Sequence, residues 1–177
     1  MTASRKFVYA DDICFALQGQ SFSELESGLN SDIASISYYC AQWRFTPSVT
    51  KTVSSVFHLD NRRVSKELNI YMNGCRINHD PCPVYLGVSL DRSLTFRHHA
   101  TKTAAKIKSK NNIIAKLAGT SWEANAQTLR SSAMALCYSV AEYCVPAWGR
   151  SFHIKLVDRQ LNETMRIISG TLQPTPL

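Results

Sequence analysis

Residues 7–12, Phe-Val-Tyr-Ala-Asp-Asp, carry an apolar run directly into two adjacent carboxylates. Side chains alternate between the two faces of a strand, so neighbouring aspartates within a regular strand would point apart. A tight hairpin turn, in contrast, presents both at its tip, where a positive partner is needed to offset the cost of the paired charges. We therefore predict a β-hairpin over residues 6–17 that turns at Ala10-Asp11-Asp12 and exposes a carboxylate pair.

Two interpretations of this carboxylate pair follow from the residues alone. Mg²⁺ in phosphoryl-transfer sites is bound by one or two carboxylates together with substrate phosphates, and two-metal catalysis uses such ligands. Alternatively, Asp11 and Asp12 form an ordinary strand-to-turn boundary, where Asp is favoured by turn chemistry. A motif this short leaves both interpretations open.

An amphipathic helix is predicted after the hairpin. Ser21 and Glu24 have the spacing of a capping box, which satisfies backbone N–H groups where a helix begins. Apolar residues then recur three or four apart, the spacing of one helix face. They are Leu25, Leu29, Ile33, Ile36, Cys40 and Trp43, and Pro47 ends the helix.

Small antiparallel strands and then three helices complete the predicted α+β fold. Strands are predicted at 53–59, at 68–72 with 75–77 around the hairpin signal Asn73-Gly74, and at 84–90 between prolines and a polar segment. Helices are predicted over 95–118, closed by Gly119, over 122–143, ending before Pro146, and over 152–169, closed by Gly170.

The net charge of +7 over 177 residues is concentrated in the second half of the chain. Residues 1–92 hold nine Lys/Arg and nine Asp/Glu, whereas residues 93–177 hold eleven and four. The densest stretch contains no acid and includes Arg97, Lys102, Lys106, Lys108, Lys110 and Lys116. A single-sign stretch favours a nucleic-acid backbone as partner, with a solvated helix face as the alternative.

The remaining composition indicates a protein that works inside the cell. No apolar run approaches the ~20 residues of a membrane span, so no membrane partner is expected. Residues 1–6 are polar and no signal-peptide core follows them. The six cysteines are expected to be reduced thiols. We expect an intracellular location, nuclear and cytoplasmic.

The order of segments resembles the reverse transcriptases (RNA-directed DNA polymerases) of jockey-like non-LTR retrotransposons. Tyr9-Ala10-Asp11-Asp12 resembles their aspartate-pair motif, residues 43–52 resemble the next palm motif, and residues 84–91 resemble the Tyr-Leu-Gly hairpin that grips the primer. The helical remainder is similar to their thumb. The residues that carry this similarity are Leu136, Tyr143, Pro146, Trp148 and residues 166–170. One departure is Ser48, where the family has Asn.

The resemblance implies a C-terminal palm and thumb fragment of a longer polymerase. Residues 1–92 would be a partial palm of antiparallel strands plus a helix, with the aspartate hairpin and the primer-grip strands. Residues 93–177 would be a basic three-helix thumb. The fingers and a further metal-binding aspartate would belong to a missing N-terminal polymerase segment, so the 177 residues alone are expected to show no templated synthesis.

The resemblance also implies roles at the polymerase centre. Asp11 and Asp12 would hold Mg²⁺ or Mn²⁺, and Lys51 would protonate the leaving pyrophosphate during nucleotidyl transfer to a primer 3′-hydroxyl. Tyr9 would pack beneath the primer–template stem. The alternatives are core packing for Tyr9 and a surface strand position for Lys51.

The implied partners are an RNA template, a DNA primer and deoxynucleoside triphosphates. Tyr85, Leu86 and Gly87 would form the primer grip, with a buried strand and glycine bulge as the alternative. The cations of residues 97–116 would track phosphates without reading sequence. Trp122 and Trp148 are expected to be core aromatics. Two competing functions stay open: a catalytically dead nucleic-acid-binding remnant, and an α+β interaction domain.

Overall fold

The computed structural model describes residues 4–119 and 124–171. The chain is of the α+β class and divides into two compact units, Met1–Pro83 and Val84–Leu177. Each unit has its own hydrophobic core. The Tyr85-Leu86-Gly87 segment therefore lies in the second unit, whereas the sequence motifs grouped it with the aspartate hairpin.

The first unit begins with the predicted hairpin. Strand β1 (Arg5–Tyr9) pairs antiparallel with β2 (Asp12–Ala16), and Ala10 and Asp11 form the loop between them. Ala10 has a φ of 51°, a left-handed conformation that a two-residue hairpin loop demands and that a Cβ makes costly. The hairpin prediction is confirmed.

Helix α1 (Phe22–Gln42) begins at the predicted capping box. The Ser21 hydroxyl accepts a hydrogen bond from the Glu24 N–H at 3.2 Å, and the Glu24 carboxylate accepts one from the Gln20 N–H at 3.2 Å. Ile33 and Cys40 are buried as the apolar periodicity predicted. The prediction was wrong for Trp43, which caps the C-terminal end of α1 and is exposed, because the chain turns away there.

Short strands cover α1. Strand β4 (Tyr71–Met72) and β5 (Cys75–Arg76) form the predicted hairpin around Asn73-Gly74, where both turn residues have positive φ. Strand β3 (Val53–Ser54) is much shorter than predicted and pairs with β6 (Asn78–His79) in parallel, so the prediction of exclusively antiparallel strands was wrong.

The first core forms between α1 and these strands. Ile33 packs in a buried cluster with Leu68, Ile70, Met72 and Ile77. Asn30 and Glu26 on α1 bind the backbone of residues 69–71: the Asn30 side chain accepts from the Tyr71 N–H at 2.8 Å, and Glu26 accepts from the Asn69 N–H at 2.9 Å. These bonds satisfy backbone groups that lack a strand partner.

The second unit opens with a third hairpin. Strand β7 (Val84–Tyr85) pairs antiparallel with β8 (Val88–Ser89), so the continuous strand predicted over 84–90 is a hairpin with Leu86-Gly87 as its turn. Helix α2 (Arg97–Leu117) follows, close to the predicted bounds. Gly119 lies after this helix but does not adopt the left-handed conformation predicted for it.

The second predicted helix is interrupted. Trp122, its expected start, lies outside the described residues. Helix α3 (Ala126–Ala133) leads into a π-helical turn (Met134–Tyr138), α4 (Ser139–Glu142) and α5 (Val145–Trp148). Pro146 lies in the first turn of α5, where its missing N–H costs nothing, rather than after a helix end. A 3₁₀ turn (Phe152–Ile154) precedes α6 (Lys155–Ser169), which Gly170 closes at a φ of 67°, as predicted.

Helices α2 and α6 pack around a buried polar link. Asn111 donates to the Gln160 carbonyl at 3.0 Å and accepts from the Thr164 hydroxyl at 2.6 Å. The Cys137 thiol of the π-helical turn donates to the same Asn111 oxygen at 3.5 Å. Every polar atom of this set has a partner, so the link fixes the register of three segments without an unsatisfied buried group.

Candidate functional site

The aspartate pair lies at an exposed hairpin tip. Asp11 occupies the two-residue loop, and Asp12 is the first residue of β2, directly opposite Tyr9. Because opposed residues of an antiparallel pair share a face, Tyr9 and Asp12 project on the same side of the hairpin. All three side chains are exposed, so the core-packing alternative for Tyr9 is wrong in this structure.

The side chains at this tip supply some, but not all, of the ligands that a hard cation needs. Within residues 4–119 and 124–171, neither Asp11 nor Asp12 has an ion pair or side-chain hydrogen bond. Their four carboxylate oxygens are the ligand type that Mg²⁺ and Mn²⁺ take in phosphoryl-transfer sites, completed by phosphates. No group of three His, Cys, Asp or Glu side chains in the described part of the chain is placed to hold a metal by itself.

Lys51 lies in a turn rather than on a strand. The turn is closed by the Thr52 N–H and hydroxyl, which both donate to the Ser48 carbonyl at 3.1 and 2.7 Å. The Lys51 side chain is exposed, and no hydrogen bond or ion pair among the described residues joins it to Asp11 or Asp12. The structure does not bring these three residues into contact.

The Tyr85-Leu86-Gly87 segment is a strained turn held by Tyr143. Leu86 and Gly87 have φ values of 44° and 79°, and the left-handed conformation is unfavourable for Leu. The Tyr143 hydroxyl donates to the Leu86 carbonyl at 2.8 Å, and a Cβ at Gly87 would lie 3.2 Å from the Tyr143 ring. Gly87 is therefore needed for the turn and for the close approach of this ring.

Trp148 and His99 extend this support to the other hairpin strand. The buried Trp148 indole donates to the Tyr143 carbonyl at 2.8 Å and packs edge-on against His99 with ring centroids 5.2 Å apart. The Ser89 N–H in turn donates to Nδ1 of His99 at 3.3 Å. A connected set of contacts thus holds both strands of the hairpin against helices α2, α4 and α5.

The His99 contacts predict a pH-dependent stability. Burial, with smaller contributions from the charges of Lys106 and Lys102, lowers the pKa of His99 below its ordinary value of 6.5. The unfolded chain therefore takes up a proton before the folded chain does, so the free energy of unfolding falls as pH drops below about 6.5. Protonation also turns Nδ1 from an acceptor into a donor and removes the Ser89 bond.

We expect urea midpoints measured between pH 8 and pH 5 to fall more steeply in the natural chain than in His99→Gln. Gln retains an acceptor for the Ser89 N–H and does not titrate, so it is the matched variant. Equal slopes in the two proteins would contradict the role assigned to His99.

The basic residues of α2 lie on more than one face. Lys102, Lys106 and Lys110 are spaced by four residues and form one row along the helix, beside the buried face. Arg97, Lys108 and Lys116 fall elsewhere on the helix circumference. All six cations except the half-buried Lys110 are exposed. Because the row runs along the helix, a single phosphate backbone could follow its three cations.

Sequence reasoning missed the supporting residues of the hairpin. Trp148 is a core aromatic as expected, but its indole bond and its contact with His99 were not predicted. Tyr143 contributed only to the family resemblance, and no local pattern signalled its bond to Leu86. Nothing in a sequence pattern joins residues that are 57 positions apart.

The known proteins that are similar to this chain all belong to one class of enzyme. The chain is similar to RNA-directed DNA polymerases of mobile elements, and the resemblance found from the motifs is confirmed. No protein-family profile and no solved structure matches the chain.

Three of these relatives come from Drosophila melanogaster. The RNA-directed DNA polymerase from mobile element jockey is 28% identical over 102 residues, covering 58% of this chain and 11% of the relative. The probable polymerase from transposon X-element is 23% identical over 170 residues, 92% of this chain and 18% of the relative. The probable polymerase from transposon BS is 24% identical over 144 residues, covering 80% and 16%. The chain thus spans less than a fifth of the length of each.

None of the described helices combines the length and the apolar character needed to cross a bilayer. None of the six cysteines forms a disulfide, and Cys40 and Cys137 are buried.

Proposed function

We propose that this chain supplies the aspartate-pair palm segment and the thumb of an RNA-directed DNA polymerase of a jockey-like mobile element. The observation that carries the proposal is the two-residue hairpin that exposes Asp11 and Asp12 at its tip. The similarity to mobile-element polymerases over most of the chain supports it. In this proposal residues 1–92 act as partial palm, residues 93–177 act as thumb, and the protein works in the nucleus and cytoplasm.

The proposed chemistry is metal-dependent nucleotidyl transfer in the intact enzyme. Asp11 and Asp12 would hold Mg²⁺ or Mn²⁺, which when bound lowers the pKa of the primer 3′-hydroxyl and neutralises the triphosphate. Tyr9, on the same face as Asp12, offers a ring against the primer–template stem. Lys51 lies on an exposed turn, and its proposed role, which rests on the sequence motif, is to donate a proton to pyrophosphate.

The proposed nucleic-acid contacts lie in the second unit. The Leu86-Gly87 turn would approach the DNA primer through its backbone, which Gly87 permits. Its supports, Tyr143 and Trp148, act as positioning residues that keep the strained turn in place. The α2 cations would bind phosphates of the primer and the RNA template without sequence preference.

The metal proposal is tested by Mn²⁺ titration of the labelled chain. Mn²⁺ bound at the hairpin tip should broaden the backbone NMR signals of residues 9–13 at lower concentration than signals elsewhere, and Asp11→Asn should remove that selectivity. Asp158→Asn is the matched control, because it removes one exposed carboxylate from α6 in the other unit. Unselective broadening in the natural chain, or selectivity that survives in Asp11→Asn, would contradict the proposed metal site.

A nucleic-acid-binding role without catalysis is the second candidate. The acid-free basic surface of α2 favours it, since phosphate binding needs no metal ligands. Both candidates predict that Asp11→Asn binds a primer–template as the natural chain does. The Mn²⁺ titration separates them, because only the first candidate requires a metal ion at the hairpin tip.

A further inference from the structure

The C-terminal end of α1 is built around an unusual residue. The Phe45 N–H donates to the Cys40 carbonyl at 2.8 Å and the Arg44 N–H donates to the Ala41 carbonyl at 3.1 Å. This bond pair is a Schellman motif, whose left-handed position is usually Gly. Here that position is Arg44, with a φ of 60°. A charged side chain therefore occupies a site where Gly would be less strained.

Large aromatic side chains precede and follow Arg44 along the chain, and they are exposed to solvent. Trp43 is 62% exposed and Phe45 is 68% exposed, on either side of Arg44. One turn earlier, Tyr38 and Tyr39 are 69% and 54% exposed. The Tyr39 and Trp43 rings lie 6.3 Å apart at an angle of 51°, so they form a pair rather than isolated side chains. Four exposed aromatics within eight residues exceed the scattered apolar residues of an ordinary surface.

The segment of sequence that carries these rings has charge of one sign. Residues 33–59 contain no Asp or Glu, and their Lys/Arg residues are Arg44 and Lys51. The large exposed apolar side chains of residues 38–45 are all aromatic, with no Leu, Ile, Val or Met among them. Aromatic faces beside a cation and without acids suit nucleobases and phosphates, because every base has a π-face and every linkage carries a negative charge.

We propose that Tyr39, Trp43 and Phe45 form a stacking platform for the unpaired bases of a single nucleic-acid strand, with Arg44 on its phosphates. The proposal rests on the proposed nucleic-acid function and assigns it a site in the first unit. The left-handed conformation of Arg44 fits this role, since strained non-Gly residues are enriched at functional sites. A duplex cannot use the platform, because its bases are already stacked on one another.

The test uses tryptophan fluorescence in a Trp122→Phe background, which leaves Trp43 and the buried Trp148 as the fluorophores. Titration with single-stranded oligothymidylate should quench Trp43, and the quenching should vanish in Trp43→Phe. Trp43→Ala should weaken single-strand binding on the order of 10-fold, as for other stacking residues. Trp43→Phe, which keeps a ring, should lose less affinity than Trp43→Ala.

Arg44→Gly separates a binding role from a structural one. Gly removes the left-handed strain, so the urea midpoint should rise while single-strand affinity falls several-fold. An unchanged affinity in both Arg44→Gly and Trp43→Ala would overturn the platform. The platform would also be overturned if the natural chain self-associates in sedimentation and Trp43→Ala does not, while oligothymidylate affinity is unchanged. The exposed rings would then form a contact between copies of the chain.

The outcome is distinguishable from failure of the proposed function. If the natural chain binds duplex through the α2 lysines but oligothymidylate binding ignores Trp43, the platform fails and the proposed function stands. If the natural chain binds neither nucleic acid at low salt, both fail.

Discussion

Replacing Lys102, Lys106 and Lys110 together with Gln should weaken duplex binding by about two orders of magnitude near 0.1 M salt. Each neutralised phosphate releases counterions and contributes about −0.9 to the slope of log affinity against log salt. Loss of three contacts should therefore flatten that slope by about 2.7, equally for all duplex sequences. Fluorescence anisotropy with a labelled RNA–DNA hybrid at several salt concentrations measures both quantities.

The matched control is Arg97, Lys108 and Lys116 replaced together with Gln. It removes the same charge from the same helix but from faces outside the four-residue row. We expect a clearly smaller change of slope in the control than in the row variant. Equal slopes for both variants would mean that only net charge attracts the nucleic acid, and a salt-independent affinity in the natural chain would leave α2 as an ordinary solvated face.

Trp148→Ala is expected to lower the free energy of unfolding by about 3–5 kcal/mol, the cost of truncating a fully buried large aromatic. Trp148 is 1% exposed, and its loss opens a cavity in the second core. It also removes the indole bond to the Tyr143 carbonyl and the contact with His99, so the Leu86-Gly87 hairpin loses its support. Urea unfolding followed by circular dichroism gives the change.

Trp43→Ala is the matched control for this loss. The same substitution at a 62% exposed ring should change the free energy of unfolding by less than about 0.5 kcal/mol. The two tryptophans thus separate stability from binding, since Trp43→Ala is expected to affect single-strand affinity and Trp148→Ala to affect folding. A comparable destabilisation by both variants would show that the burial assigned to them is wrong.

Local sequence chemistry accounted for most elements of the fold. The apolar run into Asp11-Asp12, the Ser21–Glu24 capping box, the Asn73-Gly74 turn and Gly170 each specify their structure through bonds or φ angles within a few residues. For that reason the first hairpin, the start of α1 and the end of α6 were predicted correctly. The class of the relatives followed from the order of motifs along the chain.

The errors arose at a helix end and where distant residues decide. Periodicity placed Trp43 on the buried face of α1, but α1 ends at Gln42, Trp43 caps it, and the ring is exposed. Prolines suggested a continuous strand over 84–90, whereas the resemblance implied the hairpin that is present, with a Leu86-Gly87 turn that Tyr143 holds from the end of α4. The π-helical turn at Met134–Tyr138 likewise lies where Cys137 meets Asn111.

The sequence by itself determined the α+β class, the exposed carboxylate hairpin, the basic second half and the likeness to mobile-element polymerases. Tertiary structure alone decided the burial of His99 against Trp148, how the Tyr85-Leu86-Gly87 turn is supported, and which aromatics face solvent. The physical reason is range: caps and tight turns are set by bonds between neighbours, whereas burial and side-chain support depend on segments that only folding brings together.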